Sequence, residues 1–378
     1  MLADVNCRNV HIGDGNEICK HAQGVRIGDR CDTVYIGSMS IHDIVGQHGI
    51  YGGAGCTNVR VVGTSIRDVS LIGCKWQNDD ATPYDAQNIK FIGVQVADSG
   101  SHGFQMTNGT GSVQKMRGAE MIGCTSVRAG EDGFNLSLLV DGLLVDCVAD
   151  TPTREGFSWS NCPGIRIINP IARYYGANGM RDLVASPHTQ IINPTLIDGA
   201  TSNTVGQRFG IFIADCTEYT IKGARIRDAN ANMEYGIYLI AGTLSTCTFV
   251  DNKVLNATGT AVRFPTGTFR EYHDNYYVGT GGPVTNEPVI PTATIVSNVL
   301  TIPQGCKACY VPAGTITSIT VGGHSGKTIA LIYTGITTMT DGGNIKGPAA
   351  NFVSTADDVQ LMTCDGPNYY QGATGSVN

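Results

Sequence analysis

The chain has 378 residues, 32 acidic against 25 basic side chains, and a formal charge of -7. Charged residues are only 15% of it, against roughly 25% in ordinary soluble domains, and its 49 glycines are near twice the usual share of about 7%. Long surface helices are excluded on that composition, a nucleic-acid partner is not expected without clustered Lys and Arg, and no apolar run of about 18 residues calls for membrane insertion.

Taken in chain order, Met1 to Val5 run almost directly into a repeat. That start predicts a fragment whose N-terminal cap or attachment region, with any export signal, lies outside the sequence. Glycine followed by alternating apolar residues then recurs at Gly49-Ile50-Tyr51, Gly73-Cys74-Lys75-Trp76, Gly103-Phe104-Gln105-Met106, Gly133-Phe134-Asn135-Leu136, Gly156-Phe157-Ser158-Trp159, Gly179-Met180-Arg181, Gly210-Ile211-Phe212-Ile213 and Gly236-Ile237-Tyr238-Leu239. The steps between these glycines are 23 to 31 residues, and Ala261-Val262-Arg263-Phe264 is a degenerate ninth copy. Before each glycine lies a second alternating run ending in a Gly or Asn corner, as in Asn58-Val59-Arg60-Val61-Val62-Gly63 and Gly164-Ile165-Arg166-Ile167-Ile168-Asn169.

Two or three short strands per repeat, with no helix between them, cannot form βαβ units, but they can coil. Each coil then stacks on the last at about 4.8 Å and the inward residues share one core. The reading is all-β: a right-handed parallel β-helix of about 9–11 coils over 1–281, a proline-marked linker over 282–292, and a small C-terminal β domain over 293–378. The 13 cysteines are widely spaced and resemble neither a disulfide framework nor a zinc site. Seven of them, Cys31, Cys56, Cys124, Cys147, Cys162, Cys216 and Cys247, fall near coil ends as free thiols that can stack inside a solenoid. The one CxxC, Cys306 to Cys309, lacks a partner motif, so no metal and no cofactor are assigned.

Aligning the glycines sorts the remaining side chains into columns. The column just before glycine reads His48, Ile72, His102, Asp132, Glu155, Asn178, Phe209 and Tyr235, and is expected at the surface. Asp132 and Glu155 fall on adjacent coils, each beside another charge, Glu131 and Arg154. Two neighbouring carboxyls repel, so one pKa should rise while the other stays low, which suits an acid and a base. Separations of about 5 to 5.5 Å suit a retaining glycoside hydrolase and about 6.5 to 9.5 Å an inverting one.

The column two after glycine, Tyr51, Lys75, Gln105, Asn135, Ser158, Arg181, Phe212, Tyr238 and Arg263, points outward and is the candidate glycan groove, with rings for sugar faces and polar groups for hydroxyls. Trp76 and Trp159 fall on inward positions. Asp182 does too, so either the register shifts there or a partner holds it. The substrate-binding set is Tyr51, Gln105, Glu131, Asn135, Arg154, Ser158, Arg181, Phe212 and Tyr238, and the catalytic set is Asp132, Glu155, Asp182 and His102. Arg154, Arg181 and Arg208, each 27 residues apart, are read as lying in different columns.

The repeat resembles the pectate-lyase-like superfamily of right-handed parallel β-helices, with its pectate lyases, polygalacturonases and phage tailspikes, over roughly residues 6–278. The resemblance implies a tailspike-like polysaccharide depolymerase, a glycoside hydrolase acting on a bacterial surface glycan. Its alternatives are a polysaccharide lyase on a uronate-containing glycan and a non-catalytic glycan-binding spike. It further implies a homotrimer located in a virion tail or outside the cell, with virion attachment through the missing N-terminal region. Asn78-Asp79-Asp80 followed by Ser101-His102-Gly103 is similar to the paired aspartates and His-Gly of polygalacturonases, but the Arg-x-Lys element of that family has no match. The C-terminal stretch, with Asp341-Gly342-Gly343-Asn344-Ile345 and Cys364-Asp365-Gly366-Pro367-Asn368-Tyr369-Tyr370, resembles an assembly or end-capping module of phage-derived β-helix proteins.

Overall fold

A computed structural model describes the chain apart from residues 1, 4–5, 79–84, 109–115, 200–207, 231, 266, 268, 280–283, 286–292, 303–307, 321–327, 341–342, 347–351, 357, 366 and 377–378. The chain is a right-handed parallel β-helix with small separate β-sheets towards its C-terminus. Three long parallel sheets, here A, B and C, take one strand each from successive coils, so that each strand pairs with the equivalent strand of the coil before and the coil after. Among the described residues the helical content is one short 3-10 turn, Leu244–Thr246, and no helix is long and apolar enough to cross a membrane.

Sheet A is built from the glycine repeat. At Gly103 an added Cβ would sit 2.8 Å from the carbonyl oxygen of Gly133 on the next coil and 2.0 Å from Ser126 Oγ, so only glycine lets the two coils close there. The residue after glycine points inward. Phe104, Phe134 and Phe157 stack face to face at 4.8 Å between centroids, with interplanar angles of 2° and 6°. Trp76 and Trp159, three residues after their glycines, are fully buried.

Sheet B turns into sheet C through the Gly or Asn corner, and its residues adopt positive φ: Gly63 and Gly93 at 61° and 60°, Asn169 and Asn193 at 51° and 52°. Glycine meets this conformation without a Cβ clash, and asparagine is among the few side chains that tolerate it. The Asn193 amide also donates to Asn169 Oδ1 at 3.1 Å, tying consecutive corners together. Cys31, Cys56, Cys124, Cys147, Cys162, Cys216 and Cys247 are buried, with no disulfide joining them. Burial pushes the Cys56 thiol up to about 12.

The chain divides into two compact units, one of residues 1–265 and 274–287 and the other of residues 266–273 and 288–378. Sheet A continues to Val284–Thr285, which pairs with Val262–Arg263, so parallel strands extend into the segment read from sequence as linker. The second unit has its own core, including Leu300, Leu331, Tyr333, Met339, Met362 and Tyr369. Its largest sheet joins Ala308–Val311, Thr328–Tyr333, Asp358–Cys364, Tyr369–Ser376 and Ile345–Lys346. Cys309 is buried there, while Cys306 lies outside the described residues.

Candidate functional site

Strand register fixes the outward column of sheet A. Tyr51 pairs with Lys75, Lys75 with Gln105, Gln105 with Asn135, Asn135 with Ser158, Ser158 with Arg181, Arg181 with Phe212, Phe212 with Tyr238 and Tyr238 with Arg263. One side chain per coil therefore stands along a single line. Ser158 is the recessed member, buried between its neighbours. Towards the C-terminal end the line becomes aromatic: Phe209 stacks on Phe212 at 5.4 Å and Tyr235 on Tyr238 at 5.1 Å. Arg181 lies over the Phe212 ring at 5.8 Å and Arg263 over Tyr238 at 5.1 Å. At the other end Arg26 and Lys75 both approach the Tyr51 ring.

The column before glycine is not at the surface. Asp132 is 0% and Glu155 1% exposed, and His102 and Asn178 are buried beside them. The cause is a hydrogen-bond ladder along the coil axis. The Asp132 main-chain N–H donates to His102 Nδ1 at 3.3 Å, the Glu155 N–H to Asp132 Oδ1 at 3.3 Å, and the Phe209 N–H to Asn178 Oδ1 at 3.2 Å. A side chain that receives the next coil's N–H runs along the stack and cannot also reach outward. Between the rungs the Asn178 amide donates to Glu155 Oε1 at 3.3 Å.

The outward column and the ladder are bonded to each other. The Asn135 amide donates to Asp132 Oδ2 at 2.8 Å, and the Arg181 guanidinium to Glu155 Oε1 at 2.7 Å. Arg154, 47% exposed, spans the cluster: 3.2 Å from Glu155 Oε2, 3.8 Å from Asp132 Oδ1 and 3.1 Å from Glu131 Oε2. Glu131 is the accessible carboxylate, 40% exposed, and it also receives the Ser101 hydroxyl at 3.2 Å and faces His102 Nε2 at 3.6 Å.

These contacts divide the two buried carboxyls. Burial, reinforced by the hydrogen bond and charge of Glu155, pushes Asp132 up to about 7 against the pull of Asn135 and Arg154. Burial works against ionisation of Glu155 too, but hydrogen bonds from Asp132 and Arg181 and the charges of Arg154 and Arg181 outweigh it and hold that carboxyl below its ordinary value. Burial lowers the His102 pKa, opposed by Glu131 and assisted by Arg154. Below about pH 7 the proton of the pair is thus held on Asp132, next to an ionised Glu155.

Asp182 keeps its inward position in continuous register, opposite Trp159 and Ile213. A partner, not a register shift, holds it: Tyr219 Oη donates to Oδ2 and Ser186 Oγ to Oδ1. Burial, resisted by those two hydrogen bonds, raises its pKa to about 7. It lies fully buried, on the core side of the sheet that presents the outward column. Asp79 and Asp80 lie outside the described residues, while Asn78 is buried and accepts the Gly55 N–H at 2.9 Å.

Arg154 and Arg208 share one column, corrected from the reading that placed them apart. Main-chain hydrogen bonds run from Ala177 N to Arg154 O and from Glu234 N to Arg208 O, two residues before their glycines, while Arg181 stands in the outward column. Sequence reasoning passed over Asn178 and Tyr219 as site residues. Asn178 was visible in the column alignment, but nothing in the sequence marks Tyr219 as the partner of a residue 37 positions earlier.

The A-module of mannuronan C-5 epimerase AlgE4 from Azotobacter vinelandii superposes with a TM-score of 0.50 at 14% identity, over 87% of this chain and 86% of that one. What the two share is the fold. The catalytic domain of a GH87 alpha-1,3-glucanase in complex with nigerose gives a TM-score of 0.47 at 12% identity, covering 76% of this chain and 60% of that one. The receptor-binding protein of bacteriophage Det7, a podoviral tailspike in a myovirus, gives 0.41 at 10% identity, over 96% and 76% of the two chains. No protein-family model matches the sequence, and comparison with curated proteins finds no match.

Proposed function

We propose that this chain holds a polysaccharide along the outward column of sheet A and hydrolyses it there, as a tailspike-like depolymerase. The observation that carries the reading is the line of one side chain per coil from Tyr51 to Arg263, in which Phe212 and Tyr238 offer rings and Arg181 and Asn135 are fixed from beneath. Coils repeat at about 4.8 Å, a period commensurate with successive sugar units of an extended glycan. Rings take sugar faces, and amides and guanidinium groups take hydroxyls or carboxylates.

For hydrolysis the cluster supplies a proton on Asp132 and negative charge on Glu155. Arg154 covers both and, among the described residues, is anchored outward by the half-exposed Glu131. On this reading the glycan draws Arg154 away and so opens Asp132. A second reading, a non-catalytic glycan-binding spike, is favoured by the burial of Asp132 and Glu155. The fold serves either. The working place is then a virion tail or the extracellular space and the working form a homotrimer, which light scattering of the purified chain tests.

The deciding experiment incubates the chain with capsular, O-antigen and acidic plant polysaccharides. It follows binding, reducing ends and the ultraviolet absorbance of unsaturated uronates together. Reducing ends without absorbance are expected. Absorbance would replace hydrolase with lyase, binding without product would leave the spike reading, and no binding to any glycan would overturn the proposal.

A further inference from the structure

Sheet C brings together a donor set on a different sheet from the site above. Glu17 and Cys19 stand two apart on the strand Glu17–Cys19 and so share a face, and the next coil's strand, Ser40–Ile44, pairs His42 with Cys19. The carboxylate, thiol and imidazole ligand atoms lie within 4.8 Å of one another, with His42 Nε2 2.6 Å from Glu17 Oε1. On a tetrahedral ion with bonds of about 2.0 to 2.3 Å, ligand atoms sit about 3.3 to 3.6 Å apart, so the three need shift by less than about 1.5 Å.

A second contact makes this more than a chance cluster. His42 Nδ1 is 2.9 Å from Asp43 Oδ2, which fixes the ring with Nε2 towards Glu17 and Cys19. Carboxylate, histidine, metal is the outer-shell arrangement that orients metal-bound imidazoles. Asp43 reaches it through a left-handed backbone, φ 55°, that breaks the strand's regular alternation. The imidazole is nearly buried and the Glu17 carboxylate is open to water, so an ion has a path in. Arg67, next in the same column, is paired with Asp68 at 3.0 Å.

We propose that Glu17, Cys19 and His42 bind one zinc ion, with a fourth position open to water, and that the ion ties two successive coils together. A mixed nitrogen, sulfur and oxygen set suits zinc and disfavours calcium or magnesium, which take oxygen ligands. Binding converts the Cys19 thiol to thiolate with release of its proton to solvent.

The test is cobalt titration of the full chain, followed by zinc competition. One equivalent of cobalt should give a thiolate-to-metal charge-transfer band that zinc abolishes. Cys19→Ala and His42→Ala should lose the band, and Asp43→Asn should weaken zinc binding about 10- to 100-fold while keeping it. Zinc should also raise the thermal midpoint of the parent chain and leave that of Cys19→Ala unchanged. Absence of the band, or a band that survives Cys19→Ala and is lost in Cys306→Ala, would overturn the assignment.

Discussion

Two stretches of sheet A share one backbone and one register yet carry different chemistry. From His102 to Asn178 the column before glycine is a ladder of polar side chains, each rung tied to the next coil. From Phe209 to Tyr235 the same column is aromatic, and its rings stack on Phe212 and Tyr238. The polar stretch spends its hydrogen-bonding capacity internally and reaches solvent only through Asn135, Arg154, Arg181 and Glu131. The aromatic stretch has little internal bonding to satisfy and leaves ring area for a ligand. The contrast shows that the coil supplies position, while the side chain in each slot decides between structure and recognition.

The largest effect that would break this contrast lies in the ladder. Glu155→Ala leaves the Arg181 guanidinium without its buried counter-charge and should cost about 3 to 5 kcal/mol in urea unfolding. Asp132→Asn at pH 6 should cost under about 1 kcal/mol, since a mostly protonated carboxyl is replaced by a neutral amide of like shape. The opposite ranking would place the negative charge on Asp132. A next-largest effect concerns pH. Asp132 and Asp182 have folded pKa values near 7, above those of the unfolded chain. The unfolded state therefore loses these protons first, and stability should fall as pH rises from about 4 to about 7 and then level off. Glu155, held below its ordinary value, works in the opposite sense and loses its contribution on acidification. Asp182→Asn should flatten the slope between pH 5 and 7, read from urea midpoints; an unchanged slope would mean that Asp182 is ionised in the fold. The smallest effect sharpens the other side of the contrast. Tyr238→Ala should weaken glycan binding about tenfold, or about 1.4 kcal/mol, with no shift in the thermal midpoint. An equal loss in both would make the rings part of the core.

Much of this was legible in the sequence because a coil converts spacing into neighbourhood. The recurring glycine located sheet A, the step lengths put Asp132 and Glu155 on adjacent coils, and the outward column follows the predicted alternation residue for residue. The direction of the side chains before glycine was not legible. Whether Asp132 points to solvent or along the stack depends on the N–H of Glu155, a backbone group no pattern of residue types reports. The cluster of Glu17, Cys19 and His42 escaped because His42 lies 25 and 23 positions from Glu17 and Cys19, no recognised metal spacing, and the register of sheet C is what brings them together.

The steps between glycines vary from 23 to 31 residues, yet register along sheet A never slips between Tyr51 and Arg263. Extra length is therefore absorbed outside the sheet A strands, and each coil answers only to its two neighbours. Such a scaffold is editable slot by slot: a substitution in one coil changes one site along the track without renegotiating the others. On the proposed glycan-binding reading, specificity is then retuned by single replacements, with the aromatic stretch the least encumbered place to begin.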